Sequence, residues 1–226
     1  MSIITDKIAT TYARLLSQKN FVLSTVSQQD GQIVEIIEEN YLSPSERKNQ
    51  IGDWLLDKNF NLPLHNLYIH TKEKKNLIIY RGTDFTDIKD IFSDVQIVLG
   101  TNSVDKRVEE SLNFYDQVKT SYPDYEIWIS GHSLGGTIAF IIAKHRQPNR
   151  TITFNPGSAP NKAFLSMMQD TLFHKLWTQT ITTYKILGDI VSALSFIGNT
   201  KTFILETADP KKLHGIASFK NLLTFR

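Results

Sequence analysis

Four short, nearly unbroken apolar runs, set apart by stretches of helical periodicity, constrain this chain's fold more than any other feature. The runs are Asn76–Tyr80, Glu126–Ser130, Thr151–Phe154 and Thr183–Leu187. A run with little polar alternation marks a strand buried on both faces. Between the runs, Val104, Val108, Leu112, Tyr115 and Val118 share one helical face, and Pro123 follows them. Ile138, Ile141 and Ile142 repeat the pattern up to Pro148, and Pro160 opens a long helix through Phe164, Leu165, Met168, Leu172 and Trp177. Thr200–Leu205 supplies a last strand. Strands alternating with helices predict an α/β fold, a mostly parallel sheet with helices on both faces. Such sheets bind ligands at the carboxyl ends of their strands. Functional residues are therefore expected just after Tyr80, Ser130, Phe154 and Leu187.

The first third reads differently. Residues 1–65 are expected to be a mainly helical N-terminal part, and 76–216 the core, within one domain spanning 1–226. Ile8, Tyr12, Leu15 and Leu16 lie on one face of an amphipathic helix. Ser43 caps a second helix, with Pro44 in its first turn and Glu46 closing a capping box. Ile51, Trp54 and Leu55 form the apolar face of that helix. The first residues lack the apolar core and cleavage pattern of a signal peptide. The expectation is a soluble, cytoplasmic protein, with signal-independent export or delivery as the other route.

The chain has no cysteine, which excludes disulfides, thiolate catalysis and cysteine–zinc sites. Its net charge of +2 comes with scattered basic residues and no basic stripe or recognition module, so nucleic acid is not an expected partner. No histidine–carboxylate cluster has metal-ligand spacing.

The run Glu126–Ser130 leads into Gly131-His132-Ser133-Leu134-Gly135 and then an apolar helix. A G-x-S-x-G sequence at a strand–helix joint is a nucleophile elbow: the turn is so tight that side chains beside the serine would strike neighbouring backbone. The hydroxyl stands above the sheet edge, and the helix N-terminus points amides at developing negative charge. Ser133 is the candidate nucleophile. It needs a base, and the base needs a carboxylate, in the chain order Ser, Asp or Glu, His. His145 lies three turns along the departing helix, and His174 lies inside the long helical run. His214, after the last strand, is the candidate base. Asp189, one glycine past the strand Thr183–Leu187, is the candidate acid. Asp209 competes, although Ala208-Asp209-Pro210 also reads as a turn initiator. His132 reads as a structural hydrogen-bonder. The oxyanion would take the N–H of Leu134 and a second donor from the turn Arg81-Gly82-Thr83, with Thr83 presenting it.

These residues resemble the class 3 lipases, the fungal-lipase-like branch of the α/β-hydrolases. The likeness rests on IIYRGT (78–83), Asp94, GHSLGG (131–136), TFNPG (153–157), GDIV (188–191) and His214. It implies that Ser133, Asp189 and His214 are nucleophile, acid and base, with Thr83 at the oxyanion position. It also implies a lid at 84–100, where Ile88, Ile91, Phe92 and Val95 alternate with charged residues, and an Arg81–Asp94 pair anchoring it. The other reading of 84–100 is an ordinary surface helix. The chain departs from the family in lacking the Val-His-x-Gly-Phe element, and Asn155-Pro156-Gly157 replaces Gly-x-Pro-Arg.

The expected function is a serine ester hydrolase acting on lipid or acyl esters, lipase- or phospholipase-like, with no cofactor. The segment 84–100 would make transient membrane-surface contact. A thioesterase or acyltransferase with the same triad is the second reading, and a non-catalytic binding protein the third.

Overall fold

A computed structural model describes residues 28–82, 102–157, 180–189, 191, 192, 195, 197–205 and 207–221. The expected N-terminal amphipathic helix, the segment 84–100, Asp94, His174 and the helix from Pro160 lie outside them.

The described elements are, in order, α1 (Gln28–Glu39), β1 (Gln50–Ile51), β2 (Trp54–Asn61), β3 (His65–His70), β4 (Lys75–Tyr80), α2 (Asn102–Ser121), β5 (Glu126–His132), α3 (Leu134–Arg146), β6 (Arg150–Phe154), β7 (Ile181–Ile186), β8 (Asn199–Phe203), α4 (Pro210–His214) and α5 (Ala217–Asn221). The strands form one sheet in sequence order. β4 to β8 are parallel, and β1 to β4 are antiparallel. The parallel half occupies the five runs that the sequence marks as strands.

Residues along the central strands alternate between two cores. Leu77, Ile79 and Trp128 face a cluster with Ile33, Ile37, Phe154, Tyr184 and Phe219. Ile78, Tyr80, Ile127 and Ile129 face the other, with Phe114, Val118, Ile138 and Phe140. Both faces of β4 and β5 are thus covered, the first by α1 and α5 and the second by α2 and α3. This double burial explains the unbroken apolar runs. No helix among the described residues is long and apolar enough to cross a membrane.

The helix expected from Ser43 does not form. One half of the capping box is present, the Ser43 N–H donating to Glu46 Oε2 at 3.1 Å, but the Ser43 hydroxyl donates to the same oxygen at 2.5 Å instead of accepting from the Glu46 N–H. These contacts close a single turn, with Glu46 N–H on the Ser43 carbonyl at 3.0 Å. Arg47 then enters the interior, 4% exposed. Its guanidinium donates to Asn61 Oδ1 and to the carbonyls of Asn40, Leu42, Leu62 and Pro63. The chain wraps around that cation instead of coiling onward. Beyond it, Trp54 and Leu56 are buried and Leu55 is exposed. That is the two-residue period of a half-buried strand. The Ile51-Trp54-Leu55 spacing therefore belongs to β1 and β2, so the N-terminal part contains strands as well as α1.

Candidate active site

The parallel strands end along one edge, with Tyr80 beside Gly131, His132 beside Phe154, and Phe154 beside Tyr184. All four spots flagged by the sequence lie there. Ser133 joins β5 to α3 at φ 56° and ψ −128°. A side chain rarely adopts that conformation, and its cost is met by the surrounding packing. The two flanking glycines allow it. A Cβ on Gly131 would stand 2.4 Å from the Gly135 carbonyl, and one on Gly135 would stand 2.0 Å from the Tyr80 oxygen. Hydrogen bonds fix the turn: Ser133 N–H donates to the Phe154 carbonyl, and the Ser133 carbonyl accepts from Gly157 N–H.

His214 closes the five-residue helix α4. Its Nε2 lies 2.9 Å from Ser133 Oγ, and its Nδ1 lies 3.0 Å from Asp189 Oδ2. A carboxylate only accepts, so Nδ1 carries the proton and Nε2 accepts from the Ser133 hydroxyl. All three residues are buried. Asp189 follows Gly188, which turns the chain at φ 92°. Its second oxygen, Oδ1, accepts from Val191 N–H at 3.1 Å. Nearby, Lys185 Nζ donates to the Ser192 carbonyl at 2.8 Å. Burial pushes the Lys185 amine down to about 8, while the charge of Asp189 acts the other way.

The structure thus brings Ser133, Asp189 and His214 into one hydrogen-bonded row. Leu134 is the first residue of α3, so its N–H sits at the helix N-terminus beside Ser133. Thr83 lies outside the described residues. Gly82, just before it, runs against the elbow, since a Cβ there would stand 3.4 Å from Ser133 Cβ. Arg81 donates to the Tyr41 carbonyl at 2.9 Å. Asp209 serves elsewhere, since its carboxylate caps α4 by accepting from Lys211 N–H at 3.0 Å. His145 is exposed on α3.

His132 is buried. Its Nε2 lies 2.7 Å from the His214 carbonyl and its Nδ1 lies 2.8 Å from Tyr41 Oη. The carbonyl requires a donor, so Nε2 carries the proton and Nδ1 accepts from the tyrosine. Burial, then the neighbouring His214, pushes the His132 ring down to about 3, so it stays neutral. Sequence reasoning gave Asn155 no role in the site, although its Nδ2 donates to the same His214 carbonyl. The signal was available, because Asn155 directly follows the strand end at Phe154. A cavity of about 130 Å³ borders Asp189 and His214 on the side of Val191, Pro210 and Leu213. Among the described residues, no group of three or more His, Asp or Glu side chains could hold a metal ion.

Residues 70–198 match the family model described as "Lipase (class 3)". The fold is similar to the Lip2 lipase from Yarrowia lipolytica, with a TM-score of 0.56, 19% identity and 81% of each chain covered. A nonglycosylated form of that lipase gives 0.52 at 17% identity, covering 81% of this chain and 82% of that one. At these identities the likeness concerns the fold. A 40-residue stretch is 42% identical to the Eremothecium gossypii protein named "Putative lipase ATG15", covering 18% of this chain and only 7% of that protein's length.

Proposed function

The chain belongs to the class 3 lipases, and from that premise we propose that it hydrolyses lipid or acyl esters through an acyl-enzyme on Ser133. Family and fold support an ester hydrolase. The observation that carries the finer reading is the row Ser133 Oγ–His214 Nε2 at 2.9 Å and His214 Nδ1–Asp189 Oδ2 at 3.0 Å.

Ser133 Oγ attacks the acyl carbon while His214 Nε2 takes its proton. Asp189 stabilises the resulting imidazolium and holds its tautomer. The oxyanion sits at the N-terminus of α3, on the Leu134 N–H and a second donor from Thr83. The alcohol leaves with the proton from His214. Water then attacks the acyl-enzyme, with His214 as base, and frees the acid and Ser133. None of these steps calls for a metal or cofactor. The proposal takes 1–226 as one α/β-hydrolase domain and 76–216 as its catalytic core. It assigns 84–100 to lipid-surface contact, from the alternation of Ile88, Ile91, Phe92 and Val95 with charge.

The direct test is labelling by a serine-directed phosphonate. The wild type should react and Ser133→Ala should not. A panel of esters and thioesters of graded chain length, with phospholipids, then separates the substrate classes. Turnover retained by Ser133→Ala would sink the mechanism. Cleavage of thioesters alone would favour the thioesterase reading, and an unlabelled wild type would favour a binding protein.

A further inference from the structure

Asn155 is fully buried and lies between the candidate base and the candidate acid, yet no catalytic step uses it. Its Nδ2 donates to the Leu213 carbonyl at 2.9 Å and to the His214 carbonyl at 3.0 Å. Its Oδ1 accepts from Ile186 N–H at 2.9 Å. The donors and acceptors leave one orientation of the carboxamide, because two carbonyls need protons and an N–H needs an oxygen. Ile186 ends β7, three residues before Asp189. A single side chain therefore ties the segment bearing the base to the end of the strand that leads into the acid.

His214 needs such a tie. It closes a five-residue helix, and a helix that short has little stability of its own. The last carbonyls of a helix have no partner within it. Here Asn155 takes both the Leu213 and the His214 carbonyls, and His132 Nε2–H takes the latter a second time. The backbone at Asn155 adds a further constraint, since its φ is 39°. Asparagine is among the few residues with a side chain that tolerate that region. Glycine would satisfy the backbone but would supply no donors.

We propose that Asn155 is a positioning residue: its carboxamide, aided by His132, fixes the His214 main chain so that the imidazole lies in line between Ser133 and Asp189. The inference rests on the proposed triad and goes beyond it, since Asn155 touches none of the reacting atoms.

Asn155→Gly removes the carboxamide without straining the backbone. In that variant kcat should fall by about 10²-fold, the scale of a misplacement of about 1 Å, with KM for the same ester unchanged. The strongly downfield proton NMR resonance of His214 Nδ1–H, hydrogen-bonded to Asp189, should broaden or disappear while the remaining spectrum stays that of a folded chain. A folded Asn155→Gly with wild-type kcat and an unchanged resonance would overturn the proposal. Asn155→Asp keeps the acceptor for Ile186 and loses the donors, so it should show the same loss. Wild-type activity in that variant would count equally against the idea. A third arm needs no variant: in the wild type, the Asn155 side-chain amide protons should exchange slowly with solvent. Exchange as fast as that of a surface amide would refute it. The resonance and the exchange rate report geometry, so they remain decisive even if phosphonate labelling of the wild type fails and the proposed function falls.

Discussion

Replacing Ser133 by glycine and by alanine should reverse the usual order of those two residues. At most positions glycine is the less stable, by about 0.4–1 kcal/mol, because it loses more conformational freedom on folding. A buried methyl adds about 0.8 kcal/mol in favour of alanine. Ser133, however, sits at φ 56° and ψ −128°. That ψ is far outside the left-handed helical well, so the strain belongs in the upper part of the range for such conformations, at about 2–3 kcal/mol. Alanine keeps this strain and glycine relieves it. Both variants lose the same Ser133 Oγ–His214 Nε2 hydrogen bond, so that loss cancels between them. The difference leaves glycine the more stable by about 1 kcal/mol, or about 2–4 °C in melting temperature for a chain of this size. Paired urea and thermal unfolding of the two variants measures it, and neither should turn over an ester. An alanine variant as stable as the glycine variant, or more so, would refute the claim that the elbow stores strain at the nucleophile.

Three further outcomes follow from the geometry. Asp189→Asn should lower kcat on the order of 10⁴-fold with little change in fold, because an amide can no longer hold the His214 tautomer; steady-state ester hydrolysis reads this, and a kcat near wild type would remove Asp189 from the mechanism. Gly135→Ala introduces a good helix former, yet its Cβ would stand 2.0 Å from the Tyr80 oxygen. It should cost at least about 3 kcal/mol, where propensity alone favours alanine by about 1 kcal/mol, and unfolding at wild-type denaturant concentration would show that β4 and α3 can part freely. Stability should also decline in mild acid. Burial holds His132 at about 3 and His65 at about 4, against 6.5 for each when unfolded. The unfolded chain therefore binds protons that the folded chain does not, and this stability is complete above pH 6.5 and lost as the pH falls, towards 4 for His65 and towards 3 for His132. The slope is about 1.4 kcal/mol per pH unit for each histidine. Urea midpoints measured from about pH 7 to about pH 5, across the lower side of the unfolded histidine range, check the sign. A flat profile would contradict it.

Much of the parallel half was legible because its signals are local. Unbroken apolar runs announce strands covered on both faces, and the glycines around Ser133 announce a turn that other residues cannot make. The antiparallel edge was not legible from the same rules. Ser43 and Glu46 meet as their spacing advertises, through the Ser43 N–H half of a capping box. What ends the turn is Arg47, whose partners at Leu62 and Pro63 lie 15 and 16 residues ahead. No local pattern reports a buried guanidinium that gathers carbonyls from two loops.

The candidate site divides in the same way. Residue order alone singled out Ser133, Asp189 and His214, because the elbow and the strand ends restrict which side chains can reach one edge of the sheet. It left Asp209 as a competitor, and only the folded chain gives Asp209 its separate role as the cap of α4. Residue order therefore dictated the strand–helix grammar and the side chains eligible for chemistry, since both depend on neighbours within a few positions. How the base is held came from packing instead. The His214 carbonyl meets His132 across 82 residues and Asn155 across 59. Such partners are set at the sheet edge, where a buried carbonyl must find a donor wherever the chain happens to bring one.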